Sequence, residues 1–410
     1  MLEPRPYRNL HLYNTLSGEV EEFSPLSEQE VKLYVCGITP YEVGHLGHAL
    51  TAVAFDVLRR WLDFNGYTVR HIQNITDVDD DMVRVSEERD LSIAELTDIN
   101  HQIYLDEMSY LNILPPDSYP RVSETIDEII LGVNKLVDTG FAYENSGYVF
   151  FDSTQDQSLG ALVGLDNSEL ASYESDSMPA EPAELKRSPL DFLIWQPSSF
   201  PGAKFESPWG VGRPGWHIEC SIMAQTHLGD QLDIHGGGKD LRYPHHASEI
   251  AQSESITSRS PYVSYWMHNG TMRLDGVKMS KSLGNLVRVS ELVDQGYSGN
   301  DIRLDLARVQ YREDRDYDSD RLAENRGLAG RLQLAAASNN NTTADIQTLQ
   351  SYRTRFQNAM DNDLDTPEAS DVLVELAEAI IGNDVASEHG SGALIEMASV
   401  LGLHLRSSGE

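Results

Sequence analysis

Leu33-Tyr34-Val35-Cys36 is a short apolar run that stops at Gly37 and Pro40, the pattern of a buried strand entering a loop. From Leu46 to Phe64 the apolar residues Leu50, Val53, Ala54, Val57, Leu58, Trp61 and Leu62 recur at three- and four-residue spacing. That spacing predicts an amphipathic helix, which Gly66 ends. Tyr67 to Ile75 reads as the next strand. Strand, loop, helix and strand make a βαβ unit with a right-handed crossover, so the fold class is α/β with a parallel, Rossmann-like sheet.

Residues 83–140 read as helical, broken at Pro115-Pro116 and ended by Gly140. Short strands and turns follow over 146–164. The acidic, Ser/Pro-rich stretch 165–190 reads as an exposed excursion, after which sheet-like sequence returns from Leu190 to about Arg288. Beyond Val289 the pattern is helical, and Ser338-Asn339-Asn340-Asn341-Thr342-Thr343 is the clearest linker. The expected organisation is a catalytic α/β domain over 1–288, with an insertion over about 83–190, and a helical domain over 289–410. There is no internal repeat.

The 410 residues are 40% hydrophobic and 23% charged, a globular balance. No apolar run approaches the roughly 18 residues that span a bilayer, and residues 1–30 lack the apolar centre of a signal peptide. A soluble, cytoplasmic protein is expected, with no membrane contact. Lys+Arg of 31 against Asp+Glu of 65 gives 31 − 65 = −34, which repels polyanions at long range. Any nucleic acid must therefore be met by a local surface. Cys36 and Cys220 are the only cysteines, too few for a disulfide framework.

Several short segments carry candidate chemistry. His45-Leu46-Gly47-His48 stands at the predicted start of the first helix, where unpaired N–H groups and the helix dipole favour a phosphate. Lys278-Met279-Ser280-Lys281-Ser282 places two cations three residues apart, suited to charge building on a departing pyrophosphate. Between them, Asp233-Ile234-His235-Gly236-Gly237-Gly238-Lys239-Asp240 reads as a strand ending in a turn. There the glycines would admit a planar ring, and Asp240 would accept from ribose hydroxyls. His245 and Glu249, four apart after Pro244, share one helical face. With Cys36 and Cys220 they would make a tetrahedral zinc set if the segments converge; two buried thiols are the alternative.

The pairing of HLGH with KMSKS resembles the two signatures of the class I aminoacyl-tRNA synthetases. The segments Tyr34-Val35-Cys36-Gly37-Ile38-Thr39-Pro40-Tyr41, Asn74-Ile75-Thr76-Asp77-Val78-Asp79-Asp80, Gly212-Arg213-Pro214-Gly215-Trp216-His217-Ile218-Glu219-Cys220, DIHGGG, PHH and KMSKSLGN narrow it. They resemble cysteinyl-tRNA synthetases from about residue 7 to about residue 404. By position, the resemblance implies the zinc ligands Cys36, Cys220, His245 and Glu249, and a cysteine pocket of Cys36, Gly37, Thr39, Trp216 and His235 that Trp216 closes. It also implies catalytic His45, His48, Lys278 and Lys281. The ATP site would comprise His45, Gly47, His48, Gly236, Gly237, Gly238, Asp240, Lys278, Met279, Ser280 and Lys281, with Mg²⁺ accompanying the nucleotide. A soft metal–thiolate bond separates cysteine from serine where an apolar pocket would not. The substrates implied are ATP, L-cysteine and tRNA(Cys), and the expected state is a monomer.

The chain also departs from that family. Its members normally continue into a basic anticodon-binding domain, whereas residues 361–410 here hold eleven Asp/Glu and one Arg, a poor surface for phosphates. Leu50 and Asp81 replace a usual Arg and Lys, which removes two cations expected near nucleotide or tRNA. The mycothiol ligases, a sister branch, share the shorter architecture and join cysteine to the amine of glucosaminyl-inositol. His235, Glu249 and the stretch Ile250–Glu254 side with the tRNA enzymes. Transfer to tRNA is therefore the leading expectation, transfer to a small amine the alternative, and a non-catalytic paralogue the third.

Overall fold

The computed structural model describes residues 10–173, 181–280, 283–339 and 346–407. The hairpin β1 (His11–Asn14) and β2 (Glu19–Glu22) precedes the βαβ unit of β3 (Glu30–Ile38), α1 (Leu46–Phe64) and β4 (Thr68–Ile75). Further along come α2 (Asp80–Arg89), α3 (Ile93–Tyr110), α4 (Ile126–Asp138), β5 (Ala142–Asn145), β6 (Tyr148–Phe151), α5 (Asn167–Leu170), β7 (Phe192–Pro197) and β8 (Gly212–Pro214). The chain then returns through α6 (Trp216–Leu228), β9 (Leu232–Gly238), α7 (Ala247–Thr257) and β10 (Val263–Asn269).

Strands β10-β9-β3-β4 form a parallel sheet in that order. The chain moves outward from β3 to β4 and later returns on the other side of β3, so the strand order reverses between β3 and β9. Open α/β sheets bind ligands beyond the carboxyl ends of their strands at such a reversal. β3 also carries a bulge. Val35 pairs with Gln73 and Ile38 with Ile75, three steps against two, which leaves the extra residue at Cys36-Gly37. Upstream of it, Leu33 and Val35 join the core beneath α1, while Tyr34 and Cys36 join the core on the opposite face.

The excursion is longer than its composition indicated. β7 and β8 pair antiparallel onto β5-β6, so the inserted sheet runs to Pro214 rather than ending near 190. The apolar run Phe192-Leu193-Ile194-Trp195 looks like a strand from sequence, but nothing in it names its partner. The acidic stretch is not simply exposed either. Glu181 accepts from the Leu193 amide and pairs with Lys186, with their side chains 7% and 12% exposed. Residues 174–180 lie outside the described residues.

β11 (Met272–Leu274) and β12 (Val277–Lys278) lead to α8 (Val289–Asp294) and α9 (Gly299–Ala307), and β13 (Arg315–Asp316) pairs with β11. The helices α10 (Ser319–Ala336), α11 (Ile346–Asp361), α12 (Thr366–Ile381) and α13 (Ser387–Val400) complete the chain, and the 340–343 part of the predicted linker lies outside the described residues. This bundle is not a separate core. Leu50, Leu58 and Leu62 of α1 share one apolar cluster with Leu304, Leu373 and Leu394. Arg303, fully buried, donates to the carbonyls of Leu401 and Leu111 at 2.5 and 2.9 Å and pairs with Asp56 of α1.

Candidate active site

A cavity of about 350 Å³ opens beyond the carboxyl ends of β3 and β9. Its wall includes Cys36, Gly37, Thr39, Tyr41, His45, Gly47, His48, Gly238, Asp240, Lys278, Met279 and Ser280. The segments singled out in the sequence therefore meet in one place.

His45 is the N-cap of α1. Its Nδ1 accepts from the Gly47 amide at 3.0 Å, and Nδ1 of His48 accepts from the His45 amide at 3.2 Å. A neutral imidazole that accepts at Nδ1 carries its proton on Nε2, so both rings offer an N–H donor as well as the helix amides. Gly47 is required sterically, since a Cβ there would lie 2.6 Å from Cε1 of His45. Leu46 N donates to Val287 O at 2.9 Å, which ties this turn to the chain just beyond the KMSKS loop.

Lys278 ends β12, and its Nζ donates to Oδ2 of Asp240 at 3.0 Å. Asn285 bridges the two sides of the loop, accepting from Ser280 N and donating to Lys278 O, each at 3.0 Å. Lys281 lies outside the described residues. The three glycines of β9 divide by role. A Cβ on Gly236 would lie 2.0 Å from Cζ of Phe55, and one on Gly237 would lie 2.9 Å from Leu241 Cδ1. Gly236 thus admits the α1 helix rather than a nucleotide ring, and only Gly238 of the three lines the cavity.

Behind Cys36 lies a buried cluster. One ligand atom each from Cys36, Cys220, His245 and Glu249 fall within 4.8 Å of one another, a group able to hold a metal ion. The two sulfurs are 4.0 Å apart, and His245 Nε2 is 3.2 Å from Glu249 Oε1. Each residue comes from a different part of the chain: the β3 bulge, the first turns of α6, the turn before α7, and α7 itself. Burial, then the neighbouring Cys220 thiol, pushes the Cys36 thiol well up, and burial raises the Glu249 carboxyl. Burial also holds His245 well below its usual range. Packed this closely, Cys36 and Glu249 disfavour their anionic forms, which a bound cation would favour.

A second layer surrounds these four. Nε2 of His235 meets Oε2 of Glu249 at 2.9 Å, and Nε2 of His246 lies 3.2 Å from the Cys36 sulfur. Nδ1 of His217 lies 2.9 Å from Nδ1 of His245. His246 continues to His268 at 2.7 Å and from there to Thr15 at 2.9 Å.

A family model described as the class I tRNA synthetase (C) catalytic domain matches residues 22–327. A cysteine–tRNA ligase of Dehalococcoides mccartyi is 40% identical over 403 residues, covering 97% of this chain and 86% of that one. Those of Pyrococcus horikoshii and Bacillus licheniformis are 41% and 38% identical over 385 and 415 residues. They cover 90% and 97% of this chain, and 80% and 88% of their own. The chain belongs to the cysteine–tRNA ligase family of class I synthetases.

The fold is shared with Mycobacterium tuberculosis methionyl-tRNA synthetase in complex with methionyl-adenylate, at TM-score 0.63 and 15% identity over 91% of this chain and 89% of that one. It is shared too with Agrobacterium radiobacter K84 agnB2 LeuRS in its tRNA complex, at TM-score 0.63 and 11% identity over 92% and 84%.

Within this cysteine–tRNA ligase family fold, several expected residues take unexpected places. Leu50 is buried between α1 and α9, where it touches an apolar crevice with Leu306 and Leu364. Asp81 pairs with Arg84 on α2. Neither lines the cavity. Trp216 stacks on His245 with ring centres 4.2 Å apart, and His235 is fully buried against Trp266 and Glu249, so both pack against the four-donor group and neither lines the cavity described above. Sequence reasoning assigned no role to His217, His246, His268, Thr15 or Asn285. The first two and Asn285 stand inside quoted motifs, but Thr15 and His268 carry no local signal. Among the described residues no helix is long and apolar enough to cross a membrane.

Proposed function

We propose that the chain activates L-cysteine with ATP and transfers it to tRNA(Cys). The observation that carries this reading is the double membership of Cys36, which belongs both to the four-donor group and to the wall of the cavity shared by HLGH and KMSK. Two sulfurs, one imidazole and one carboxylate suit zinc. A zinc ion held there supplies a soft acceptor for the substrate thiolate and discriminates against the serine hydroxyl.

In the first step a carboxylate oxygen of cysteine bonds to the α-phosphorus of ATP while the bond to the β-phosphate oxygen breaks, releasing pyrophosphate with its Mg²⁺. His45 and His48 donate to phosphate oxygens across Gly47, and the α1 amides add their dipole. Lys278 and Lys281 receive the charge that builds on the leaving group, with Met279 and Ser280 shaping the loop around it. Gly238 admits the nucleotide, and Asp240 exchanges Lys278 for ribose hydroxyls. Gly37 and Thr39 face the amino acid, while Trp216 and His235 hold the metal-binding group in shape. No covalent enzyme intermediate is required; proximity and charge stabilisation carry the step. In the second, a terminal ribose hydroxyl of tRNA attacks the adenylate carbonyl and AMP departs with the bonding pair.

Purified enzyme given ATP and labelled cysteine is expected to exchange pyrophosphate into ATP and to charge tRNA(Cys) at low salt. Charging should fall as salt rises with a slope set by the few local cations that neutralise tRNA phosphates, while the net charge of −34 keeps binding weak. Label entering glucosaminyl-inositol while tRNA stays uncharged would overturn the acceptor. Elemental analysis should find one zinc per chain, lost in Cys220→Ser together with selectivity for cysteine over serine. A cytoplasmic monomer completes the reading, to be checked by light scattering.

A further inference from the structure

His217 stands on the first turn of α6 and takes no part in the phosphate chemistry. It is buried against Phe192, Trp216 and His245, and it shares with Glu181, Lys186 and Ser248 the wall of a cavity of about 20 Å³, room for one water.

Two imidazole nitrogens 2.9 Å apart, His217 Nδ1 and His245 Nδ1, need one proton between them, on one ring or the other. The other nitrogen of His245, Nε2, is the one that faces the donor cluster, 3.2 Å from Glu249 Oε1. If that nitrogen gives its lone pair to a metal, the proton of the neutral ring sits on Nδ1 and is donated to His217. His217 is then the acceptor, and its own proton lies on Nε2. That atom is buried and has no hydrogen-bond partner among the described residues.

Metal-bound histidines commonly hand this hydrogen bond to a carboxylate or a backbone carbonyl. Here two thiolates and the Glu249 carboxylate already outnumber the charge of a divalent ion. A third carboxylate in a fully buried site would leave further charge uncompensated. An imidazole accepts the same bond without adding charge. The adjoining residue completes the grip: Trp216 covers the face of the His245 ring, with planes 23° apart, while His217 holds its edge.

We propose that His217 is the positioning residue that fixes the tautomer and orientation of His245 for metal binding. This rests on the zinc reading above. Three variants separate the roles. His217→Asn puts an amide oxygen near the position of Nδ1 and should keep the acceptor. His217→Gln places its amide nearer the position of Nε2 and should not, and His217→Leu removes the acceptor outright.

Zinc retention would be followed against a chelator, and the visible spectrum recorded for each protein loaded with Co²⁺. The Leu and Gln variants are expected to lose zinc affinity by about ten- to a hundredfold and to show altered cobalt bands, with Asn close to the unmodified protein. Unmodified protein that holds no zinc sinks the metal reading itself. Unmodified protein that holds one zinc, beside Leu and Gln variants that hold it equally tightly with unchanged cobalt bands, overturns the role of His217 and leaves the metal reading standing. Should His217→Leu fail to fold, the comparison of Asn with Gln decides, and equal retention in those two overturns the proposal.

Discussion

Lys278 reaches across from β12 to Asp240 at the end of β9, Nζ to Oδ2 at 3.0 Å, so the loop cation is already held at the cavity by a carboxylate. ATP has to replace that partner with its own phosphates. Lys278→Ala is therefore expected to lower cysteine-dependent pyrophosphate exchange by about 10²- to 10³-fold while zinc content stays at one per chain. Asp240→Asn should raise the KM for ATP about tenfold, because the ribose loses an anionic acceptor. Exchange rates unchanged in Lys278→Ala would remove this loop from the chemistry.

Gly236 gives a test that separates scaffold from nucleotide. An added Cβ would overlap the Phe55 ring, so Gly236→Ala should cost about 1–3 kcal/mol in urea unfolding. Pairing it with Phe55→Leu should restore part of that loss. A variant that kept its stability and lost only ATP affinity would return Gly236 to the nucleotide site.

Glu107 of α3 predicts a pH dependence. It is 7% exposed, its Oε2 would lie 3.3 Å from a Cβ placed on Gly44, and burial raises its carboxyl from 4.5 to about 7, against the pull of the Ser290 amide and Arg288. A raised folded value means that the native state binds the proton more tightly than the unfolded chain. The stabilisation is complete below pH 4.5 and is lost as the pH rises through 7, up to about 3 kcal/mol. Burial of His71 and His217, each pushed down to about 3, acts in the opposite sense, removing stability as pH falls below 6.5. The two histidines offset Glu107 below pH 6.5, so the test is a difference: from pH 5 to 8 the urea midpoint of the unmodified protein should fall relative to that of Glu107→Gln. Parallel curves for the two proteins would show that Glu107 contributes nothing.

The pairing of Arg303 with Asp56 joins α9 to α1 with both side chains at most 1% exposed. Asp56 also accepts from Arg60 and from the Leu114 amide, each at 2.8 Å. Removing the carboxylate strands a buried guanidinium, so Asp56→Ala should cost about 3–5 kcal/mol. Combining it with Arg303→Met should recover part of that loss. A single-site loss under 1 kcal/mol would mean that solvent reaches the pair.

Much of the catalytic core can be read from the chain because its signals are local. The 19-residue helix α1 is bounded by HLGH and Gly66, and its apolar spacing is unbroken. Cys36, Cys220, His245 and Glu249 announce themselves by chemical type, and the structure brings them together. What escaped depends on contacts between distant segments. Nothing near Phe192 says that β7 pairs with β6, and the acidic composition of 165–190 hides the burial of the Glu181–Lys186 pair. Thr15 reaches the metal-binding group through His268 and His246, a path that periodicity does not encode.

The extra residue in β3 has a consequence for anyone altering this segment. Up to Cys36, even-numbered positions look toward the metal-binding face and odd-numbered ones toward α1; after Gly37 the parity is inverted, and Ile38 returns to the α1 side. Gly37 can occupy the crossing point because a Cβ there would lie 1.8 Å from Asn74 O. Deleting one residue here would leave the composition of the strand almost unchanged. It would nevertheless exchange the two faces from that point on, sending Ile38 toward the ligand cluster and turning Thr39 away from the cavity. Residue count at this point is therefore a constraint separate from residue identity, and a library that randomises Gly37–Pro40 must hold its length fixed.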